Sequence, residues 1–147
     1  MNGAGLSSRI AETAARLLSE GKVEVVIGFE QGSIPMRATP CLITDPADAG
    51  RLIWNAFCSN NLARYLVPGR KSAIVAKGCD SRAIVELVKE RRLKREDVVV
   101  IGVPCRGMAD PSAIAKRFPG ICVSSVDETD GMLTLYGGPE PVSVPVS

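Results

Sequence analysis

Two cysteines of the 147-residue sequence, Cys79 and Cys105, occupy matching positions along the chain. Each follows an apolar run and precedes a predicted helix, in the loops "KGCDSR" and "VPCRGM". Thiolates are soft donors that suit zinc, copper(I) and iron–sulfur clusters. Either cysteine alone is more often a small packing residue than a ligand. The pair favours a functional site, because glycine and proline in these loops let the backbone approach a ligand closely.

The composition restricts the chemistry that such a site could perform. Histidine is absent, which excludes Ser-His-Asp triads, Cys-His pairs and His-ligated zinc. A net charge of +2 and only 4% aromatic residues argue against nucleic-acid binding. No apolar run has the length of a membrane span and the N-terminus lacks a signal-peptide pattern, so we expect a cytoplasmic location. Five cysteines in that reducing compartment do not predict a disulfide framework.

The elements that must position the two thiols form a predicted βαβ unit. The pattern indicates a strand over 72–76, a helix over about 81–92 and a strand over 97–103. Parallel strands joined in this way end at the same sheet edge, where open α/β sheets bind ligands. We therefore expect both sulfurs to face one pocket, roughly one to two strand spacings of about 4.8 Å apart. Asp80 or Ser81 is expected to cap the helix, whose dipole would favour a thiolate at Cys79.

The rest of the chain predicts one α/β domain with a mixed sheet, flanking helices and a C-terminal β-hairpin. An amphipathic helix over 6–20 precedes two strands, "KVEVVIGFE" and "MRATPCLIT", expected to pair as a hairpin or near neighbours. Two helical pieces follow, with Cys58 at their joint, and a short helix is expected after Asp110. A ribbon around Asp130 ends the domain at residue 138, and residues 139–147 are expected to be loose. Cys41 and Cys122 are expected to be core residues.

Longer stretches of the sequence carry a family resemblance between about residues 20 and 108. "CSNNLARYL", "AIVAKGCDSRAIVELVKE" and "LKREDVVVIGVPCRGM", preceded by "GKVEVVIGFEQG" and "RATPCLITDPADAGRLIW", resemble the N-terminal region of the coenzyme F-420 hydrogenase/dehydrogenase beta-subunit family. The resemblance implies an iron–sulfur flavoprotein that passes electrons within hydrogenase, formate dehydrogenase or heterodisulfide reductase assemblies. Its implied partners are other redox subunits or ferredoxin-like carriers.

The resemblance also implies which residues hold cofactors. Cys79, Cys105 and Cys58 become candidate ligands of a 4Fe-4S cluster, and Asp80 a candidate oxygen ligand or supporting group. A flavin, FAD or FMN, is expected at the same sheet edge. The remaining candidate cofactor-binding residues are small ones in the two loops: Gly78, Ser81, Gly102 and Gly107.

The sequence departs from the family pattern in one respect and leaves two alternatives open. It contains no C-x-x-C motif, so a fourth cluster ligand and part of the flavin site are expected beyond residue 147. One alternative is a cofactor-free α/β domain used for binding or assembly. The other is a thiol enzyme whose nucleophile is Cys79, activated at the start of a helix.

Overall fold

Alternating strands and helices make up the computed structural model, which describes residues 3–146. The α-helices are α1 (Gly3–Ser19), α2 (Gly78–Lys89) and α3 (Pro111–Arg117). The strands are β1 (Val25–Gln31), β2 (Ala38–Ile43), β3 (Ser72–Ala76), β4 (Val98–Gly102), β5 (Ser125–Thr129), β6 (Met132–Tyr136) and β7 (Val142–Pro145). Within this described range, no helix is long and apolar enough to cross a membrane.

The first four strands form one mixed sheet in the order β2-β1-β3-β4. β1 and β2 pair antiparallel, as a hairpin with Val26 opposite Ile43. β3 runs parallel to both of its neighbours, β1 and β4, and α2 supplies the crossover from β3 to β4. The predicted mixed sheet with its βαβ unit is therefore confirmed.

The core lies around the two central strands, because both of their faces are covered. Every residue of β3 is buried, and β1 is buried over its first five residues, as expected for strands covered on both faces. Trp54 meets Phe29 edge to face, with ring centroids 6.1 Å apart. Gly28 leaves room for Leu52, since a Cβ at this glycine would lie 2.6 Å from a Leu52 methyl carbon.

The segment between β2 and β3 forms short 3₁₀ helices where the sequence predicts longer helical pieces. The first, Pro46–Arg51, is capped as expected by the Asp45 carboxylate, which accepts the Ala47 N–H at 2.9 Å. The chain then extends, and Ile53 forms an isolated antiparallel bridge with Phe29. This pairing replaces helical hydrogen bonds with a contact to the central strand β1, beyond the residues that pair with β3, and the helix ends before it.

The C-terminal strands form a separate antiparallel sheet in the order β5-β6-β7. Asp130 and Gly131, both at positive φ, make the turn between β5 and β6, as the sequence predicts. The expectation of a loose end is wrong for β7, which pairs with β6 and buries Val144. Alternating valines explain this strand, and its proline is tolerated because β7 is an edge strand of the sheet. Cys122 lies before β5 and is exposed, so its assignment to the core is also wrong.

Candidate functional site

Two of the three exposed thiols in the described residues, Cys79 and Cys105, follow neighbouring strands at the carboxyl edge of the mixed sheet. Ala76 and Gly102, the last residues of β3 and β4, are register partners, and the Val103 N–H donates to the Ala76 carbonyl at 2.9 Å. Cys79 is the second residue of α2, and Cys105 lies in the irregular segment after β4. Both are exposed and, within residues 3–146, both are free thiols. The predicted arrangement of the strands is confirmed; a shared ligand for the two sulfurs stays a prediction.

A buried ion pair fixes the start of α2. The Asp80 carboxylate is 0% exposed. One of its oxygens, Oδ2, accepts from the backbone N–H and the Nζ of Lys77, both at 3.0 Å. The other, Oδ1, accepts the Leu62 N–H at 3.2 Å. The Lys77 ammonium also donates to the Asn60 carbonyl at 2.8 Å and lies 5.7 Å from the centroid of the Phe29 ring.

This geometry changes the predicted helix cap. α2 begins at Gly78, three residues earlier than the expected residue 81, and Lys77 is its N-cap residue. Asp80 is the third helical residue, and its carboxylate reaches back to the N–H of Lys77, as in half of a capping box. Ser81 only continues the helix, with its N–H donating to the Lys77 carbonyl at 3.0 Å.

Residues 55–62, which we call the rim strap, link the two cysteine loops. At one end, the Ala56 carbonyl accepts the N–H of Ala109, from the segment that carries Cys105, at 2.8 Å. The Ala56 N–H donates to a Glu128 carboxylate oxygen of β5, also at 2.8 Å. The other end reaches α2 through the Asp80 and Lys77 contacts. The strap is therefore held by the mixed sheet and the C-terminal sheet together.

Cys58 lies inside the rim strap and does not reach the surface. Its side chain is 0% exposed. Its sulfur accepts the Asn55 N–H at 3.4 Å and lies 3.6 Å from Asn55 Oδ1, to which the S–H donates. Burial raises the pKa of the Cys58 thiol to about 12, against smaller opposing effects of the Asn55 N–H and the Lys77 charge. The stable form of this side chain is the neutral thiol.

The glycines of the two loops border open space. Apart from the adjacent residues and the helix's own backbone, a Cβ added at Gly78 or Gly102 would meet no atom of the described chain within 4 Å. The same is true at Gly107, whose φ of +115° also favours glycine. Packing within residues 3–146 therefore gives no reason for glycine at the first two positions.

The predicted three-cysteine cluster site is not assembled. Across residues 3–146, no three Cys, Asp, Glu or His side chains lie close enough together to hold a metal ion. Cys79 and Cys105 are exposed, whereas Cys58 is sealed in the strap and both oxygens of Asp80 are already hydrogen-bonded. The residues in this arrangement do not fit a cluster held by three ligands of this chain.

Two of the pockets beside the rim strap also border the C-terminal sheet. One, of about 130 Å³, brings Cys105 together with Trp54, Ala56 and Glu128. The other is a cleft of about 710 Å³ between the β1–β2 connection and β5, with the exposed Arg37 and Asp127 on its walls.

Sequence reasoning missed the residues that shape this edge: Lys77, Asn55, Ala56 and Glu128. Lys77 carried one local signal, because an acidic residue three positions later is typical of a helix start. The contact of Glu128 with Ala56 spans 72 residues and has no local signal.

Curated proteins similar to this chain are beta subunits of archaeal dehydrogenases. The F420-dependent formate dehydrogenase 1 subunit beta of Methanococcus maripaludis is 29% identical over 99 residues, 65% of this chain and 26% of that protein. The F420-dependent formate dehydrogenase subunit beta of Methanocaldococcus jannaschii is 29% identical over 105 residues, 68% of this chain and 27% of that protein. The chain thus spans about a quarter of the length of these relatives. No known protein-family profile matches it.

A solved structure shares the fold. A chain of the F420-reducing [NiFe] hydrogenase complex from Methanosarcina barkeri superposes with a TM-score of 0.68 at 15% identity. The superposition covers 93% of this chain and 53% of that one. The sequence and fold similarities together show distant, partial homology to these beta subunits.

Proposed function

We propose that this chain, as a distant relative of F420-dependent formate dehydrogenase beta subunits, is an electron-transfer module of an iron–sulfur flavoprotein oxidoreductase. The distant homology to those subunits is the observation that carries the proposal. Its partners would be other redox subunits or ferredoxin-like electron carriers, in the cytoplasm. The module would include β7, because the C-terminal sheet is continuous past residue 138.

The carboxyl edge of β3 and β4 is the proposed cofactor site. Cys79 and Cys105 would supply thiolate ligands to a 4Fe-4S cluster, because both are exposed and follow register-matched strand ends. Open space at Gly78 and Gly102 supports close approach of a group from outside the described chain, and the Ser81 hydroxyl and Gly107 would lie beside it. A bound cluster passes single electrons, and a flavin, FAD or FMN, exchanges them for electron pairs.

Iron, acid-labile sulfide and flavin analysis of anaerobically reconstituted protein tests this function. We expect a brown protein with iron and sulfide in near-equal amounts. Cys79→Ser and Cys105→Ser should each lose most of the iron. Cys122→Ser is the matched control, because Cys122 is equally a free and exposed cysteine. A colourless, iron-free protein after reconstitution, still folded by circular dichroism, would contradict the proposal.

A second candidate is a cofactor-free α/β domain for binding or assembly. It is favoured by the lack of any three-ligand metal group in the described part of the chain. Under this alternative, Cys79→Ser and Cys105→Ser leave both stability and capture of partner subunits unchanged. Iron content and partner capture, measured on the same variants, separate the two functions.

A further inference from the structure

We propose that the outer side of β4, which faces away from β3, is a docking surface for an extended acidic segment of a partner protein. The segment adds to the mixed sheet as a further strand. This inference goes beyond the proposed function, because strand pairing on this side needs no cofactor.

The register of the ladder determines which backbone groups of β4 point away from the sheet. The Val103 N–H donates to the Ala76 carbonyl of β3 at 2.9 Å. Hydrogen bonds between parallel strands repeat at every second residue, so Val99 and Ile101 also bond to β3. The backbone groups of the remaining residues therefore point outward: Val98, Val100 and Gly102.

Two of these three outward residues are open to pairing. Val98 is satisfied, because its N–H donates to the Arg95 carbonyl and its own carbonyl accepts from Arg95 Nη1 at 2.7 Å. Val100 is 39% exposed and Gly102 is also exposed. Within residues 3–146, no strand pairs with β4 on this side. Exposed edge amides and carbonyls of this kind are a template for another strand.

The opposite edge of the same sheet is protected against such pairing. β2 is the other edge strand, and its Pro40 lies opposite Phe29 of β1. The Phe29 carbonyl accepts the Ile53 N–H on the side away from β2, so the backbone of Pro40 also faces away from β1. Proline offers no N–H there, which is a common protection of edge strands. β4 contains no proline.

The charges around β4 favour an acidic partner. Residues 82–106 hold seven basic and four acidic side chains, a net charge of +3 in a chain whose total is +2. At one end of β4, residues 91–97 hold four basic and two acidic side chains, and at the other end Arg106 is exposed. A second copy that paired antiparallel through its own β4 would set each basic end against a basic end, which is unfavourable.

The side chains of β4 define the centre of the bound segment. The strand consists of three valines, an isoleucine and a glycine, with Val100 as its exposed apolar residue. Cross-strand pairs of β-branched residues stabilise a sheet. The fitting segment therefore has β-branched apolar residues in its centre and carboxylates toward its ends.

A fluorescein-labelled peptide with three central valines and two glutamates at each end tests this docking on the full chain. We expect saturable binding in fluorescence anisotropy that weakens as salt is added. Amide hydrogen exchange, followed by NMR, should slow at Val100 and Gly102. It should stay unchanged at Val99 and Ile101, whose N–H groups already donate to β3. Failure to bind, or binding without slower exchange at Val100 and Gly102, would overturn the inference.

Val100→Pro copies on β4 the protection that Pro40 gives to β2. It removes the outward N–H and keeps the bonds from Val99 and Ile101 to β3, so it should weaken peptide binding about tenfold or more. Val100→Ala is the matched control, because it shortens the same side chain but keeps the N–H. Equal binding by the two folded variants would contradict strand addition. The exchange pattern of the wild type decides the matter where Val100→Pro fails to fold.

A charge-reversal variant, Lys94→Glu with Arg106→Glu, tests the sign of the partner. It should lose the acidic peptide and gain binding to the same peptide with lysines in place of the glutamates. Unchanged preference for the acidic peptide would overturn the assignment of charge. Self-association of the wild type that slows exchange at Val100 would instead assign this side of β4 to a second copy of the chain.

These results are independent of the proposed function. A chain that binds the peptide but never acquires iron and sulfide refutes the function and leaves the docking surface intact. A chain that acquires iron and sulfide but does not bind the peptide refutes only the docking surface.

Discussion

Replacing Asp80 by asparagine should be the most damaging single change at the rim. The substitution removes the carboxylate charge that faces the Lys77 ammonium across a 3.0 Å contact, in a pair whose side chains are 4% and 0% exposed. Breaking a buried ion pair by removing one partner costs about 3–5 kcal/mol, because the other charge stays buried and unpaired. The free energy of unfolding of a small domain is about 5–15 kcal/mol, so this loss is a large share of its stability.

Urea denaturation followed by Trp54 fluorescence measures this cost, because Trp54 is the single tryptophan and is buried against Phe29. Glu86→Gln is the matched control. It breaks the Glu86–Lys89 pair, which has the same i,i+3 spacing on the same helix but whose side chains are 63% and 67% exposed. An exposed pair of this kind is worth about 0–0.5 kcal/mol.

A double variant, Lys77→Met with Asp80→Leu, shows whether the charge is responsible. It should be more stable than Asp80→Asn, because no unpaired charge stays buried, although the backbone N–H groups of Leu62 and Lys77 both lose their acceptor. The reasoning is refuted if Asp80→Asn costs no more than Glu86→Gln, or if the double variant is the less stable of the two.

Three further perturbations test other parts of the structure. Burial raises the pKa of Cys41 to about 11 and of Cys58 to about 12 from an ordinary 9.0, so the unfolded chain loses these protons first. The free energy of unfolding should therefore fall as pH rises from 9 toward 11, by at most about 1.4 kcal/mol per pH unit for each thiol, and less steeply in Cys58→Ala. Gly28→Ala should lower the free energy of unfolding by about 1–3 kcal/mol in urea titrations, because the new methyl group overlaps the Leu52 side chain. Gly102→Ala is the control and should lower it by much less, because the space around Gly102 is open. Glu128→Ala should lower the free energy of unfolding by about 1.5–3 kcal/mol and speed amide hydrogen exchange in the rim strap, because the Ala56 N–H loses its acceptor. Glu128→Gln keeps an acceptor and should lower it by less. Equal exchange rates in the two variants would contradict this role of Glu128.

The mixed sheet was predictable because its signals are local. The predicted strand at 72–76 has the same bounds as β3 in the structure. A short apolar run between a glycine turn and a helix is typical of a buried strand and too short for a helix. The sequence predicts the start of α2 three residues late, because lysine is a poor N-cap residue and Lys77 serves as one here only through its contact with Asp80.

The environment of the side chains at the carboxyl edge of β3 and β4 was less predictable, because it depends on contacts between segments that are distant in the sequence. Nothing near Cys58 distinguishes a ligand from a sealed thiol, and its burial depends on where residues 55–62 cross the sheet edge. β7 was missed for a related reason. The prolines in and just before β7 predict a loose end, whereas its pairing with β6 becomes visible only when the hairpin is in place.

The two-sided anchoring of residues 55–62 makes an irregular segment behave like part of the core. Its Ala56 and Leu62 amides donate to carboxylates from two different elements, Glu128 of β5 and Asp80 of α2. Opening this segment therefore breaks contacts with β5 and with α2 together, so we expect its local unfolding to be linked to the global transition. An irregular segment of this length would ordinarily open on its own. Here we expect it to open only together with the two sheets, as one cooperative unit.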